Sequence, residues 1–238
     1  MGKYRIIRGA STRARIVAAV LLGILPGAFA SAAAEPIQIV AFGDSNTAGF
    51  RVTNEHAYPA QLERVLRAKG YDVRVLNSGV SGNTSSMGLA RIDRAVPPGT
   101  RIAIVYFGRN DLRWGMEPAK FRANIEAIVK RLRARDIQVL LIGLRTFSLA
   151  DIAVANGALY YPDFFAGVSH EGEKDPKYTL IFDPIQHLNA AGYEVVVSHL
   201  APVVESMLAK PQGADSEPAT GHLLSVPLPP ARPQSAAQ

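Results

Sequence analysis

The stretch "VAFGDSNTAGF", Val40 to Phe50, decides how the rest of the chain is read. An apolar run stops at a glycine, and an acid and a hydroxyl follow it. Gly-Asp-Ser is common turn chemistry, so Ser45 is either a turn residue or a nucleophile displayed at the end of a strand. The flanking sequence bears on this choice. Short apolar runs recur at "IQIVAF" (37–42), "VRVLN" (73–77), "IAIVYF" (102–107) and "QVLLIGL" (138–144), each bounded by Gly, Asp, Asn or Pro, and these predict buried strands. Between them, residues 57–69, 86–96 and 117–135 place apolar side chains every three or four positions, as does 190–208 after the last loop. Alternation of this kind predicts an α/β fold with a parallel sheet between helices.

Ligands of such sheets sit beyond the carboxyl ends of the strands. The loop holding Ser45 follows the first strand, "NSGVSGNTS" (77–85) the second and "GRNDLRWG" (108–115) the third, so all three are expected on one edge.

A serine hydroxyl needs a base to take its proton and donors to hold the oxyanion that forms. Histidine is the base that titrates near neutrality. His56, His170, His187, His199 and His222 are present. His187 stands out in "IFDPIQHLNAAGY", with Asp183 before it and a helical pattern after it. Gly82 and Asn110 fall in the other two loops and suit oxyanion donors. Each also has a plainer reading. Gly82 suits a turn needing positive φ, Asn110 a loop cap and His187 a local hydrogen bond.

Together, "FGDSNTAG", "GVSGNTS", "FGRND" and the "D…HLN" loop resemble, in order, the four blocks of the SGNH (GDSL-type) esterases and lipases. "VLNSGVSGNTSSMGLARI" and "YFGRNDLRWG" are especially similar to the bacterial periplasmic thioesterase I/lysophospholipase/arylesterase branch. The resemblance implies a three-layer α/β/α sandwich with a mostly parallel, flavodoxin-like five-stranded sheet, whose fifth strand would be "ALYY" (158–161). It implies Ser45 as nucleophile, His187 as general base and Asp183 as its orienting acid. The oxyanion donors would be Ser45 N–H, Gly82 N–H and the Asn110 amide. Two departures stand out. Asn46 replaces the usual leucine, and Asp183-Pro-Ile-Gln-His187 is one residue longer than the family's Asp-x-x-His. Either the loop carries the extra residue and Asp183 still reaches His187, or the histidine lacks its acid; Asp183 is the expected partner.

Asp44 and Asp111 read as acids that orient their loops. Arg109 and Arg113 border the crevice, either as solvent-facing charge or as a site for an anionic head group. Trp114, Met116, Phe147, Leu149, Phe164 and Phe165 could wall an acyl pocket or belong to the core.

Composition narrows the rest. The 238 residues carry a net charge of +6, but Lys3, Arg5, Arg8, Arg13 and Arg15 lie in the first 34 with no acid; 26 bases less these five leave 21 against 20 acids. No nucleic-acid partner is therefore expected. The basic start, the run "IVAAVLLGILPGAFA" and the small residues Ala28/Ala30 and Ala32/Ala34 predict a secretory signal over 1–34, with no stable membrane span in the mature protein. A periplasmic or secreted location follows. Cysteine is absent, which excludes thiol catalysis, disulfides and Cys-ligated zinc. No Walker loop, GxGxxG or HExxH occurs, so no cofactor and no metal are expected. The catalytic domain is expected over 35–210 and a disordered Pro/Ala/Ser-rich tail, with His222, over 211–238.

The chain thus reads as a secreted, monomeric serine esterase of carboxylic esters or thioesters, including lipid-like ones, that works through an acyl-enzyme. The alternatives are a carbohydrate O-acetylesterase and a non-catalytic envelope-binding protein. Activity should rise with pH near the ordinary histidine value of about 6.5.

Overall fold

The predicted apolar runs become five parallel strands in a computed structural model that describes residues 35–170 and 173–210. The expected signal segment and the proline-rich tail with His222 lie outside the described residues. The strands are β1 (Ile37–Gly43), β2 (Val73–Gly79), β3 (Thr100–Tyr106), β4 (Gln138–Ile142) and β5 (Leu159–Tyr161). Their order is β2-β1-β3-β4-β5, and every pairing is parallel.

Near-continuous apolar strands are what a sheet covered on both faces requires. Ile39–Phe42, Ile102–Tyr106 and Val139–Ile142 are accordingly all buried. The chain moves from β1 to β2 in one direction and then back across β1 to β3. With right-handed crossovers, the helices of these two steps fall on opposite faces. Helix α2 (Tyr58–Ala68) packs on β2 and on the C-terminal helix Ala190–Leu208; α3 (Ser85–Ala95) and α5 (Pro118–Arg133) pack together and on β1 and β4. The reversal at β1 and β3 is a topological switch point, where a sheet of this order leaves a crevice for ligands.

The loops after β1 and β3 are shorter than expected because each folds into a brief helix: α1 (Ser45–Ala48) and α4 (Arg109–Arg113). Ser45 is thus the first residue of a helical turn. Asp44 caps that turn by accepting the Asn46 N–H at 2.9 Å. A sixth helix, α6 (Ala150–Ala155), precedes β5, and a two-stranded ribbon, β6 (Ser169–His170) with β7 (Glu173–Lys174), follows it. The C-terminal helix, α7, starts at its Asn189 cap, whose side chain accepts the Gly192 N–H at 3.0 Å. The fourth strand ends at Ile142, two residues before the apolar run does.

Turn α1 lies directly on the end of β2. A Cβ at Gly79 would stand 2.1 Å from the Ala48 backbone nitrogen. Gly79→Ala must therefore displace α1 and Ser45 with it. The expected result is a loss of about 1–3 kcal/mol in urea unfolding together with reduced activity. A parent-like unfolding curve would contradict this packing.

Candidate active site

Ser45, Gly82, Asn110 and His187 come from four chain segments, and the first three follow β1, β2 and β3 at one edge of the sheet, as the sequence predicts. The switch point brings the segments together. Ser45 Oγ and His187 Nε2 stand 2.9 Å apart. On the other side of the ring, His187 Nδ1 and Asp183 Oδ2 are 2.6 Å apart. An ionised carboxylate can only accept, so Nδ1 carries the proton and Nε2 accepts from the serine hydroxyl. All three side chains are buried.

The extra residue in the Asp183–His187 loop is taken up by the backbone of Gln186, which adopts a left-handed conformation at φ +55°. Asp183 turns back under the loop and accepts the His187 N–H at 2.6 Å and the Ile185 N–H at 3.2 Å. The histidine's own carbonyl accepts the Leu180 N–H at 2.8 Å, and Asn189 links the loop to α7. Phe50, five residues after the serine, lies against the imidazole with ring centroids 4.5 Å apart. Its place within the opening motif is the only sequence signal for it.

Gly82 occupies a turn at φ +80°, a conformation that glycine adopts freely. Its N–H has no acceptor among the described residues. The Asn110 amide donates to the Asn83 carbonyl at 2.9 Å, which fixes the asparagine beside the Gly82 turn. Asp111 is wholly buried and accepts the Ser85 N–H at 3.0 Å, joining α4 to the start of α3. It orients its segment, as the sequence suggests.

Burial pulls the His187 imidazole below its ordinary value; Asp183 opposes this, and Lys174 and Arg109 add to it. Burial alone would raise the Asp183 carboxyl, but the two hydrogen bonds from His187 and the one from Ile185 hold it below the usual range. Neutral imidazole beside ionised carboxylate is the state a general base requires.

Asp44 is fully buried, and burial pushes its carboxyl up to about 6. Among the described residues its Oδ2 has no hydrogen-bond partner, and neither does Oδ1 of the buried Asn46 that stands where the family has leucine.

Of the six apolar residues that could wall an acyl pocket, Phe165 lines a cavity of about 330 Å³ beside the site. Leu149 and Phe164 are core, Phe147 packs on Phe121, and Met116 packs on the core. Trp114 is exposed and stands over Gly82. Among the described residues, no cluster of His, Asp or Glu could hold a metal ion, and no helix is long and apolar enough to cross a membrane.

A profile of the GDSL-like Lipase/Acylhydrolase family matches residues 41–195 and so takes in all of these segments. The chain belongs to this family. Esterase TesA of Pseudomonas aeruginosa is 34% identical over 115 residues, 48% of this chain and 56% of that protein. An arylesterase of Vibrio mimicus is 29% identical over 117 residues, 49% of this chain and 58% of that protein. The chain spans little more than half the length of these curated relatives. Among solved structures, that of AlinE4, described as an SGNH-hydrolase family esterase, is 33% identical at a TM-score of 0.57, covering 74% of this chain and 98% of that one. The TesA crystal structure is 25% identical at a TM-score of 0.62, covering 71% and 99%.

Burial of Asp44 predicts a pH-dependent stability. The folded carboxyl keeps its proton up to about 6, whereas the ordinary value is 3.8. The folded state thus binds more protons than the unfolded chain between those values, so stability falls as pH rises through them. Asp44→Asn removes that slope. Urea unfolding at pH 4 and pH 6.5 should show the variant gaining roughly 2 kcal/mol on the parent across the interval. Parallel curves would contradict the buried charge.

Proposed function

We propose that this chain is a serine esterase of the GDSL-like family, acting on carboxylic esters or thioesters through an acyl-enzyme. The carrying observation is the buried relay from Ser45 Oγ through His187 to Asp183, at 2.9 and 2.6 Å. Ser45 Oγ attacks the acyl carbon while its proton passes to His187 Nε2. The imidazolium that forms is stabilised by Asp183. The carbonyl oxygen becomes an oxyanion, held by the N–H groups of Ser45 and Gly82 and the amide of Asn110. Collapse expels the alcohol or thiol, which leaves with the proton from His187. Water then gives a proton to the same nitrogen and attacks the acyl-serine, and the acid is released as Ser45 Oγ takes that proton back from His187.

Three apolar residues near these groups favour an aryl or acyl ester over an acetylated sugar. Trp114 faces the Gly82 turn, and Ile181 and Phe182 are 80% and 96% exposed just before Asp183. Phe182 holds a left-handed backbone at φ +60°, which disfavours a bulky residue by about 1–2 kcal/mol. In this reading the basic and apolar N-terminal segment directs the enzyme out of the cytoplasm.

A p-nitrophenyl ester series from acetyl to palmitoyl tests the assignment. Hydrolysis should vanish in Ser45→Ala and fall by roughly three to four orders of magnitude in Asp183→Ala. Turnover that survives in Ser45→Ala would remove the serine mechanism, and no turnover at any length would favour a binding protein. The pH profile is a separate test. Because burial lowers His187, kcat/KM should rise with pH through a midpoint below the ordinary 6.5 and be level at neutrality. A midpoint above 6.5 would contradict that environment.

A further inference from the structure

The cavity of about 330 Å³ lies beyond the carboxyl ends of β3, β4 and β5, next to the catalytic groups. It is reached from the segments just before two of them, since Arg109 precedes Asn110 and Gln186 precedes His187, and both residues line it. Its apolar wall includes Leu144 and Phe165. Its charged lining is mostly positive, formed by Arg109, Arg145 and Lys174 against the single carboxylate Asp163.

None of these three cations forms an ion pair among the described residues. Asp163 uses Oδ1 to accept the Phe165 N–H at 2.9 Å. Lys174 is buried, and its ammonium donates to the carbonyls of Ile185 and Gln186. It stands 4.1 Å from the centre of the Phe165 ring, and the Arg109 guanidinium stands 5.1 Å from the same ring. Two cations therefore share one aromatic side chain. Burial, followed by the charge of Arg109, pulls the Lys174 ammonium down to about 7. Crowded, partly desolvated like charges are unfavourable, and an entering anion offsets that cost. An apolar wall with a few convergent charged groups is the usual composition of a small-molecule site.

We infer that this cavity binds an anionic group, a carboxylate or a phosphate, carried by the ester substrate, with Arg109, Arg145 and Lys174 as its specificity-determining residues. The inference rests on the serine-esterase reading for the word substrate, while anion binding can be measured without turnover. The anion can sit on the acyl side of the ester or on the alcohol side.

Calorimetric titration of the Ser45→Ala chain with hexanoate and with its neutral amide, hexanamide, tests the cavity directly, since the two differ at one end only. Hexanoate should bind at least about tenfold tighter, as expected for a charge-assisted contact. That ratio should shrink towards one in Lys174→Met and in Arg145→Gln. Because Lys174 also holds the loop that carries His187, the exposed Arg145 gives the variant less exposed to a folding defect, and Arg145→Glu should abolish the preference. Equal binding of the acid and the amide would overturn the inference whatever the enzyme hydrolyses.

Two ester pairs then locate the anion in the active wild-type chain. A p-nitrophenyl adipate monoester against p-nitrophenyl hexanoate reports the acyl side, and para-acetoxybenzoate against phenyl acetate reports the alcohol side. One pair should show about a tenfold preference in kcat/KM for the anionic member, lost in Arg145→Gln. No preference in either pair would overturn the inference, with neutral-ester hydrolysis leaving the serine-esterase reading intact. If neither neutral nor anionic esters are turned over, that reading falls, and the titration still decides the cavity.

Discussion

The 2.9 Å contact between Ser45 Oγ and His187 Nε2 joins residues 142 apart in sequence, and much of the fold serves to hold it. Ser45 is fixed at one end by the β1 strand, the Asp44 cap and the close packing of α1 on Gly79. His187 is fixed at the other by Asp183, by the carbonyl contacts of its loop and by the Asn189 cap of α7. A hydrogen bond spanning so long a stretch cannot be made by local structure. It needs the switch point of the sheet, which delivers the carboxyl ends of β1 and β3 to one crevice.

The site is also organised by burial of charge. Asp183 is kept ionised by three hydrogen bonds despite being buried, whereas Asp44, with one free oxygen, is pushed towards its neutral form. The two carboxyls thus differ in what surrounds them and not in type. The same contrast separates the cations. Arg122 and Arg131 are paired with Asp151 and Asp93 on the surface, while Arg109 and Lys174 meet over the Phe165 ring beside the site. Burial is the main influence that keeps the His187 imidazole neutral, and the positive field of that pair adds to it, so the cavity and His187 are electrostatically linked.

The sheet and its long helices were legible because their signals are long. Runs such as Ile102–Tyr106 are buried on both faces, and α5 keeps one apolar stripe over four turns. Even the short β5 falls within the predicted "ALYY". The features that escaped the sequence are those shorter than two helical turns, too short to repeat a pattern. The single turn after Asp44, the five residues of α4 and the β6–β7 ribbon that carries Lys174 leave no pattern to read. Ser45, His187, Gly82 and Asn110 could be named from their motifs, yet the reach of Asp183 could not, since it depends on a left-handed Gln186 that no propensity favours. Lys174 had no signal at all, because its importance comes from the ring and carbonyls that surround it.

Covalent trapping is the most direct test of a buried relay that activates one serine. The full chain would be treated with an alkyl fluorophosphonate and its peptides sequenced by mass spectrometry. The relay predicts one adduct, on Ser45, formed more slowly as acid protonates His187 and absent from the His187→Ala variant. An unlabelled Ser45, an adduct on another residue, or labelling that is indifferent to His187 would contradict it.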